Sequence, residues 1–250
     1  MKKAAFGIIA IAALIGTPAL AADLALKAPP PPPACVWCGW YVGVDGGGGW
    51  GNTTWTYPAV NFYDVAAGQG FTTNPNGGLF GGHIGINAQV GPTQWIVGAE
   101  LTGDWANLQQ TLLGPVTPVF PLDSYKTQLN DLETFTLRFG YAPGNWLWYG
   151  KAGVATGSVA LNVISGAPVA GEAYSNTTRL WGPTAGVGLE YMWASHFVIG
   201  VEYDYAALQH ETVNTTAVCT AVTCGGSVPV TINSGTFGIS TLVGRLSYKF

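Results

Sequence analysis

The sequence predicts an all-β protein, an eight-stranded antiparallel up-and-down transmembrane β-barrel. Three observations carry that expectation. Short stretches of strict apolar/polar alternation recur from residue 36 to residue 250, separated by segments rich in Gly, Asn, Thr and Pro. Only 9% of the 250 residues are charged, against about 25% in an ordinary soluble domain. Beyond the first twenty or so residues, no apolar run approaches the length of about 18 residues that a membrane-crossing helix needs. A hydrophobic chain of this kind must cross with strands if it crosses at all.

The elements follow in order. Met1-Lys2-Lys3 is basic, residues 4–18 are apolar, and Ala19-Leu20-Ala21 offers small residues for cleavage. Residues 1–21 are therefore expected to be a secretory signal peptide. No Cys follows the cleavage point, so a lipoprotein is not expected. Residues 22–35 form a Pro-rich segment, in which Ala28–Ala34 is expected to be a stiff polyproline II spacer on the periplasmic side. Residues 36–250 remain for the barrel.

In the first strand Trp40, Val42 and Val44 oppose Tyr41, Gly43 and Asp45. The second is the cleanest: Phe80, Gly82, Ile84, Ile86, Ala88 and Val90 share one face, and Gly81, His83, Gly85, Asn87 and Gln89 the other. The third sets Trp95, Val97, Ala99 and Leu101 against Gly98, Glu100, Thr102 and Asp104. The fourth sets Phe135, Leu137, Phe139 and Tyr141 against Thr134, Thr136 and Arg138. The fifth sets Trp146, Trp148, Ala152 and Val154 against Tyr149 and Lys151. The sixth sets Ala185, Val187, Leu189, Tyr191 and Trp193 against Thr184, Gly186, Gly188 and Glu190. The seventh sets Phe197, Ile199, Val201, Tyr203 and Tyr205 against Gly200, Glu202 and Asp204. The closing strand sets Leu246, Tyr248 and Phe250 against Arg245, Ser247 and Lys249. Leu246, Tyr248 and the terminal Phe250 resemble the signal by which the outer-membrane barrel assembly machinery recognises its clients.

Energy decides which face meets lipid. Arg or Lys on the lipid face at the bilayer midplane costs about 2–4 kcal/mol. Arg138, Lys151, Glu190, Glu202 and Arg245 all fall on the small-and-polar parity, so that face lines the lumen. Asp131 and Glu133 take the lipid parity, and their distance from Tyr141 places them above the bilayer. Three connections are short, at 91–94, 142–145 and 194–196, and four are long, near 51–76, 105–125, 161–177 and 211–233. Short periplasmic turns and long outer loops are the outer-membrane pattern. Trp95, Tyr141, Trp146, Trp148, Tyr191, Trp193 and Phe197 bracket the short turns as an interfacial girdle. A soluble lipocalin-like barrel would turn the apolar face inward, and the girdle and the terminal Phe speak against it.

Chemistry-bearing motifs resolve mostly to structure. Gly46-x-Gly48-x-x-Gly51 matches a dinucleotide fingerprint, but no βαβ unit surrounds it. Cys35 with Cys38, and Cys219 with Cys224, are expected to form local disulfides in an oxidising compartment; the two pairs sit at opposite barrel ends. His83, His196 and His210 lie at different heights, so no metal site is expected. A lipid-editing enzyme would need His beside Ser or a carboxylate near the outer leaflet, and His210-Glu211 has no evident Ser partner. Neither a catalytic residue nor a cofactor is assigned. The formal net charge of −4, without a basic patch, argues against nucleic acid. The candidate site is the lumen, where Glu100, Asp104, Glu190, Glu202 and Asp204 face Arg138, Lys151 and Arg245. An eight-stranded barrel is just wide enough to be filled by side chains, and buried charges must pair. A salt-bridged plug and a narrow cation-preferring pore both follow from such a set.

Ala-Asp-Leu after the cleavage point, the Lys27-Ala28-Pro29 run and Trp37-Cys38-Gly39-Trp40-Tyr41-Val42-Gly43 resemble the start of the alphaproteobacterial outer-membrane immunogenic protein family. That family's usual Trp-Thr-Gly-Phe-Tyr-Val-Gly has Cys38 in place of Thr here and Trp40 in place of Phe. The resemblance implies a small porin-like barrel, architecturally related to the OmpA transmembrane domain, abundant at the cell surface and supporting the envelope. It transfers no site residues. The expected partners are outer-membrane lipids and lipopolysaccharide and the assembly machinery, with a homo-oligomer an open option. The expected location is the outer membrane of a Gram-negative cell.

Overall fold

The computed structural model describes residues 35–59, 66–114, 123–164, 172–219 and 227–250. The expected signal peptide and the Pro-rich segment up to Ala34 lie outside the described residues, as does Cys224. The strands are β1 (Gly39–Thr56), β2 (Gly70–Thr73), β3 (Asn76–Gln89), β4 (Trp95–Leu113), β5 (Ser124–Tyr141), β6 (Trp146–Ile164), β7 (Glu172–Met192), β8 (Phe197–Leu208), β9 (Thr212–Cys219), β10 (Ser227–Ser234) and β11 (Phe237–Lys249). Eight of them close an antiparallel ring in the order β1-β3-β4-β5-β6-β7-β8-β11, with β11 returning to β1 from Tyr41↔Lys249 to Asn52↔Gly238. Closure removes the exposed edges.

The remaining three segments are continuations rather than additions. β2 leads into β3 across Asn74-Pro75; Pro75 has no N–H for a ladder, while its carbonyl accepts from Gly51 N–H at 2.7 Å. β8 breaks after Leu208 and resumes as β9, with Gln209 N–H donating to the Trp181 carbonyl at 2.6 Å. β10 breaks at Gly235 and resumes as β11, with Gly235 N–H donating to the Thr54 carbonyl at 2.6 Å. β9 then pairs with β10 and touches β7, and β10 touches β1. The ring is thus carried past the breaks to the loop end.

Around the ring the predicted parity holds. Val42, Ile84, Leu101, Phe135, Leu137, Phe139, Val154, Val187, Ile199 and Leu246 are exposed on the outward face. Aromatics gather at two heights. At the turn end Trp95 stacks on Phe139 at 4.9 Å and Trp146 lies 4.7 Å from Tyr191. At the other height Phe80 meets Trp105 at 5.5 Å and Trp50 meets Tyr203 at 6.3 Å. From Trp95 to Trp105 on β4, at about 3.3 Å per residue and about 40° of tilt, the wall covers about 25 Å of bilayer normal, one hydrocarbon thickness.

Two expectations need correction. The segments read as long loops are largely strand: β1 runs on to Thr56, β4 to Leu113, β6 to Ile164, and β5 and β7 begin at Ser124 and Glu172. Beyond the second aromatic height the amphipathicity inverts. Trp55, Leu108, Tyr125, Leu129, Leu161, Val163, Tyr174 and Leu180 are buried inward, whereas Gln109, Thr111, Lys126 and Gln128 lie on the outer side. A membrane-strand pattern therefore stops there although the strand does not. On β5 a bulge at Asn130, between Leu129 and Asp131, shifts the parity as well. Second, Asp131 and Glu133 are not above the outer girdle. Asp131 is the register partner of Trp105, which pairs with Phe80, so the charges sit level with the outer aromatics.

Candidate functional site

Every charged residue assigned to the lumen projects inward, because each shares the parity of the small residues on its strand. Glu100 on β4 is 1% exposed and is the hub. It meets Arg138 of β5 at 3.2 Å, Lys151 of β6 at 3.4 Å and Arg245 of β11 at 3.1 Å, and accepts the Tyr41 hydroxyl at 2.9 Å. Arg138 also reaches Glu190 of β7 at 2.8 Å, and Arg245 reaches it at 3.6 Å. Glu202 of β8 takes Lys151 at 2.7 Å, Arg245 at 2.5 Å and the Tyr149 hydroxyl at 2.5 Å. Lys151 meets Asp204 at 3.3 Å. The Arg138 guanidinium lies 3.7 Å over the Tyr149 ring. Strands β4, β5, β6, β7, β8 and β11 are thereby tied across the lumen.

Glycines make room for these side chains. A Cβ at Gly85 would stand 2.3 Å from the Tyr41 hydroxyl, and one at Gly188 would stand 2.2 Å from the Tyr149 ring. The flat wall at a glycine receives the large side chain of its neighbour.

Two apolar layers flank the ionic one. On the loop side lies the core of Trp55, Phe71, Leu108, Tyr125, Leu129 and their neighbours. On the turn side Trp37 packs with Ile96, Ala142, Leu147, Tyr149, Met192 and Val198. Trp37 is 3% exposed and its indole N–H donates to the Gly144 carbonyl at 3.0 Å. The Cys35–Cys38 disulfide closes the turn that carries it. The Cys219–Cys224 pair involves residues outside those described.

A second cluster went unread in the sequence. Gly43 on β1 pairs with His83 of β3 on one side and Ser247 of β11 on the other. His83 lies over Gly43, 2.4 Å from where its Cβ would be. The imidazole spans to Asp45 through Nδ1 at 2.7 Å and to Ser247 through Nε2 at 2.8 Å. With the proton on Nδ1, imidazole donates to Asp45 and the Ser247 hydroxyl donates to Nε2. The order of groups is that of a nucleophilic relay, but Ser247 is 4% exposed, and its hydroxyl is engaged inside the wall. The relay stitches the first, second and last strands of the ring. Asp45 and His83 share the lumen parity with Glu100, but only the β1–β3 and β1–β11 registers reveal that they meet.

On the outward face Arg179 of β7 meets Asp131 at 3.0 Å and Glu133 at 2.6 Å, partly exposed at the outer aromatic height. His196 binds the Lys249 carbonyl at 2.8 Å at the turn end, far from His83. Leu246, Tyr248 and Phe250 face outward, with Tyr248 5.3 Å from Phe250 and 5.4 Å from Phe197. Among the described residues no group of three or more His, Cys, Asp or Glu is arranged to hold a metal ion.

Solved structures with a similar course include Ail, the attachment invasion locus protein of Yersinia pestis. It is 14% identical, over 82% of this chain and 99% of that one, with a TM-score of 0.34. OprG of Pseudomonas aeruginosa is 14% identical over 85% and 96%, with a TM-score of 0.49. Neisserial surface protein A is 9% identical over 84% and 97%, with a TM-score of 0.38. No curated relative matches the chain. The family model described as "outer membrane protein beta-barrel domain" matches residues 9–250, together with a closed ring of outward-apolar strands. The chain is an integral outer-membrane β-barrel protein of Gram-negative bacteria and belongs to that family.

Proposed function

We propose that this protein is a sealed barrel that supports the envelope and carries a tall surface-exposed rim, rather than an open pore. The observation that carries this reading is the filled lumen: an apolar core, an ionic lattice and the Trp37 layer lie in series along the axis. Water and ions cross a bilayer only where a continuous polar path exists, and two of the three layers are apolar. The short turns face the periplasm and the inverted, loop-end wall stands outside the cell. The Trp37–Gly43 motif supports a place among the alphaproteobacterial outer-membrane immunogenic proteins. Lipopolysaccharide packs on the outward face, and the assembly machinery reads Leu246, Tyr248 and Phe250.

A second reading, a low-conductance cation-preferring pore, is favoured by the excess of carboxylates over cations in the ionic layer. Planar-bilayer recording of the refolded chain separates the two. The sealed barrel gives no steps above the baseline. Steady unit conductance with a cation-selective reversal potential would replace it with the pore.

A further inference from the structure

Above the outer aromatics the outward side of the wall carries almost no charge. A protein surface standing in water normally has about 25–35% charged side chains. Here the outward strand positions are hydroxyls and carboxamides, such as Asn107, Gln109 and Thr111 on β4 and Ser175 and Thr177 on β7. Among the described strand residues of that face above the Arg179 row, Lys126 is the one charged side chain. Glu211, at the break before β9, lines the interior beside Trp55 and Val213.

These neutral side chains are ordered by one another. The exposed Asn52 carboxamide donates to Asn74 at 2.7 Å, the Thr54 and Thr72 hydroxyls meet at 3.0 Å, and Thr231 donates to Asn214 at 2.8 Å. Ser175 donates to Asn162 at 2.5 Å, and Gln128 to Asn107 at 3.4 Å. The bonds link β1 to the β2 segment, β9 to β10, β6 to β7 and β5 to β4, so the belt covers several sectors of the ring. Its donors and acceptors repeat about every 4.8 Å across strands and about every 6.7 Å along them.

Chemistry selects what lies against such a face. Phosphate calls for Arg or Lys, and the belt offers Lys126 alone. A phosphate held through a divalent cation calls for carboxylates, and none of the belt's described strand positions supplies one. An apolar partner calls for exposed apolar side chains. Among the described residues the belt has none that are large between the outer aromatics and the strand ends at Leu113 and Ile164. Hydroxyls and carboxamides both donate and accept, as sugar hydroxyls do. The belt also begins where the lipid-facing band ends, at the height of lipid headgroups.

We propose that this belt packs against the uncharged sugar residues of the glycolipid in the surrounding outer leaflet. Acyl chains meet the apolar band and sugar hydroxyls meet the belt, which deepens the proposed packing of lipopolysaccharide on the outward face and rests on it. Side chains already held by their neighbours lose little rotamer freedom on contact.

The test is refolding of the full barrel into phosphatidylcholine vesicles holding equal amounts of either sugar-free lipid A or lipopolysaccharide with an uncharged hexose core. After mild detergent extraction, the glycolipid retained per barrel is measured. The expected result is retention of the hexose-bearing form greater by about threefold or more, the weight of a single hydrogen bond, and unchanged in high sodium chloride. Thr54→Val/Thr72→Val/Thr111→Val keeps the β-branched shape, removes three hydroxyls and should lose at least half of that preference. Gln109→Ala/Gln128→Ala should act likewise, so the test does not hang on one variant folding. Lys126→Gln should keep the preference. Equal retention of the two glycolipids, or a preference that both belt variants leave intact, would overturn the proposal. So would a preference lost in high salt or in Lys126→Gln, which would assign the contact to phosphate. Dimers formed in glycolipid-free vesicles and abolished by the belt variants would assign the face to a second copy and overturn it too. The vesicles carry glycolipid in both leaflets, so a reversed orientation in cells would show only in surface labelling, and a conducting lumen only in bilayer recording.

Discussion

Arg245→Ala is the sharpest probe of the ionic layer. The Arg245 side chain is 1% exposed and touches three carboxylates, at 3.1 Å to Glu100, 2.5 Å to Glu202 and 3.6 Å to Glu190. After its removal those three share Arg138 and Lys151 alone. Removing one member of a buried pair costs about 3–5 kcal/mol, because a charge is left without compensation. Arg245 serves three partners, so the loss should lie toward the upper figure. A second change, Glu100→Gln, removes one leftover negative charge and should recover part of the loss, giving a coupling of about 1–3 kcal/mol in a double-mutant cycle. The assay is urea unfolding in lipid vesicles followed by tryptophan fluorescence, with the slope on denaturant compared between variants to confirm that the same surface unfolds. A loss below about 1 kcal/mol with an unchanged slope, or strict additivity of the two substitutions, would refute the claim that these groups form one load-sharing lattice.

Trp37→Ala should lower stability by about 3–5 kcal/mol, the usual cost of emptying a large aromatic site, and Cys35→Ser/Cys38→Ser should give part of that loss; heat-modifiable migration in gels reads both. Gly43→Ala should disturb the His83 relay, because the new methyl would stand 2.4 Å from Nε2, and the measured midpoint should fall even though helix and sheet content by circular dichroism stay the same. Deleting Phe250, or replacing it with a charged residue, should reduce the fraction of folded protein recovered from outer membranes. Epitope tags at 91–94 or 142–145 should stay unlabelled on intact cells, whereas tags within 115–122 or 165–170 should label; surface labelling of either short turn would reverse the orientation.

What was legible in the sequence was parity. Phe80 to Ala88 on β3 and Trp95 to Leu101 on β4 announce their outward faces by alternation alone, and the eight charges assigned to the lumen fall on the other parity. Register was not legible. Nothing in the linear order says that Asp45, His83 and Ser247 meet, because that depends on the stagger with which the last strand closes on the first. Trp37 carried no periodicity, so its place in the lumen mouth had no signal beyond the two flanking cysteines. The outer extension was misread for a physical reason. Its strands obey the opposite solvent rule, with Leu108, Tyr125 and Leu161 turned inward, so a pattern tuned to lipid outside loses them. Asp131 and Glu133 were placed too high because their partner, Arg179, lies two strands away in the ring.

The loop-end core has a consequence for how this protein can change. Above the outer aromatics the wall is packed as a water-soluble barrel is packed, with Trp55, Phe71, Leu108, Tyr125, Ile232 and Phe237 buried inside it. The described part of this wall thus carries an apolar core of its own, distinct from the ionic layer beneath it. Substitutions at its outer positions, such as Gln109, Thr111 and Gln128, should therefore be borne far more easily than substitutions at Leu108 or Leu129, which fill that core.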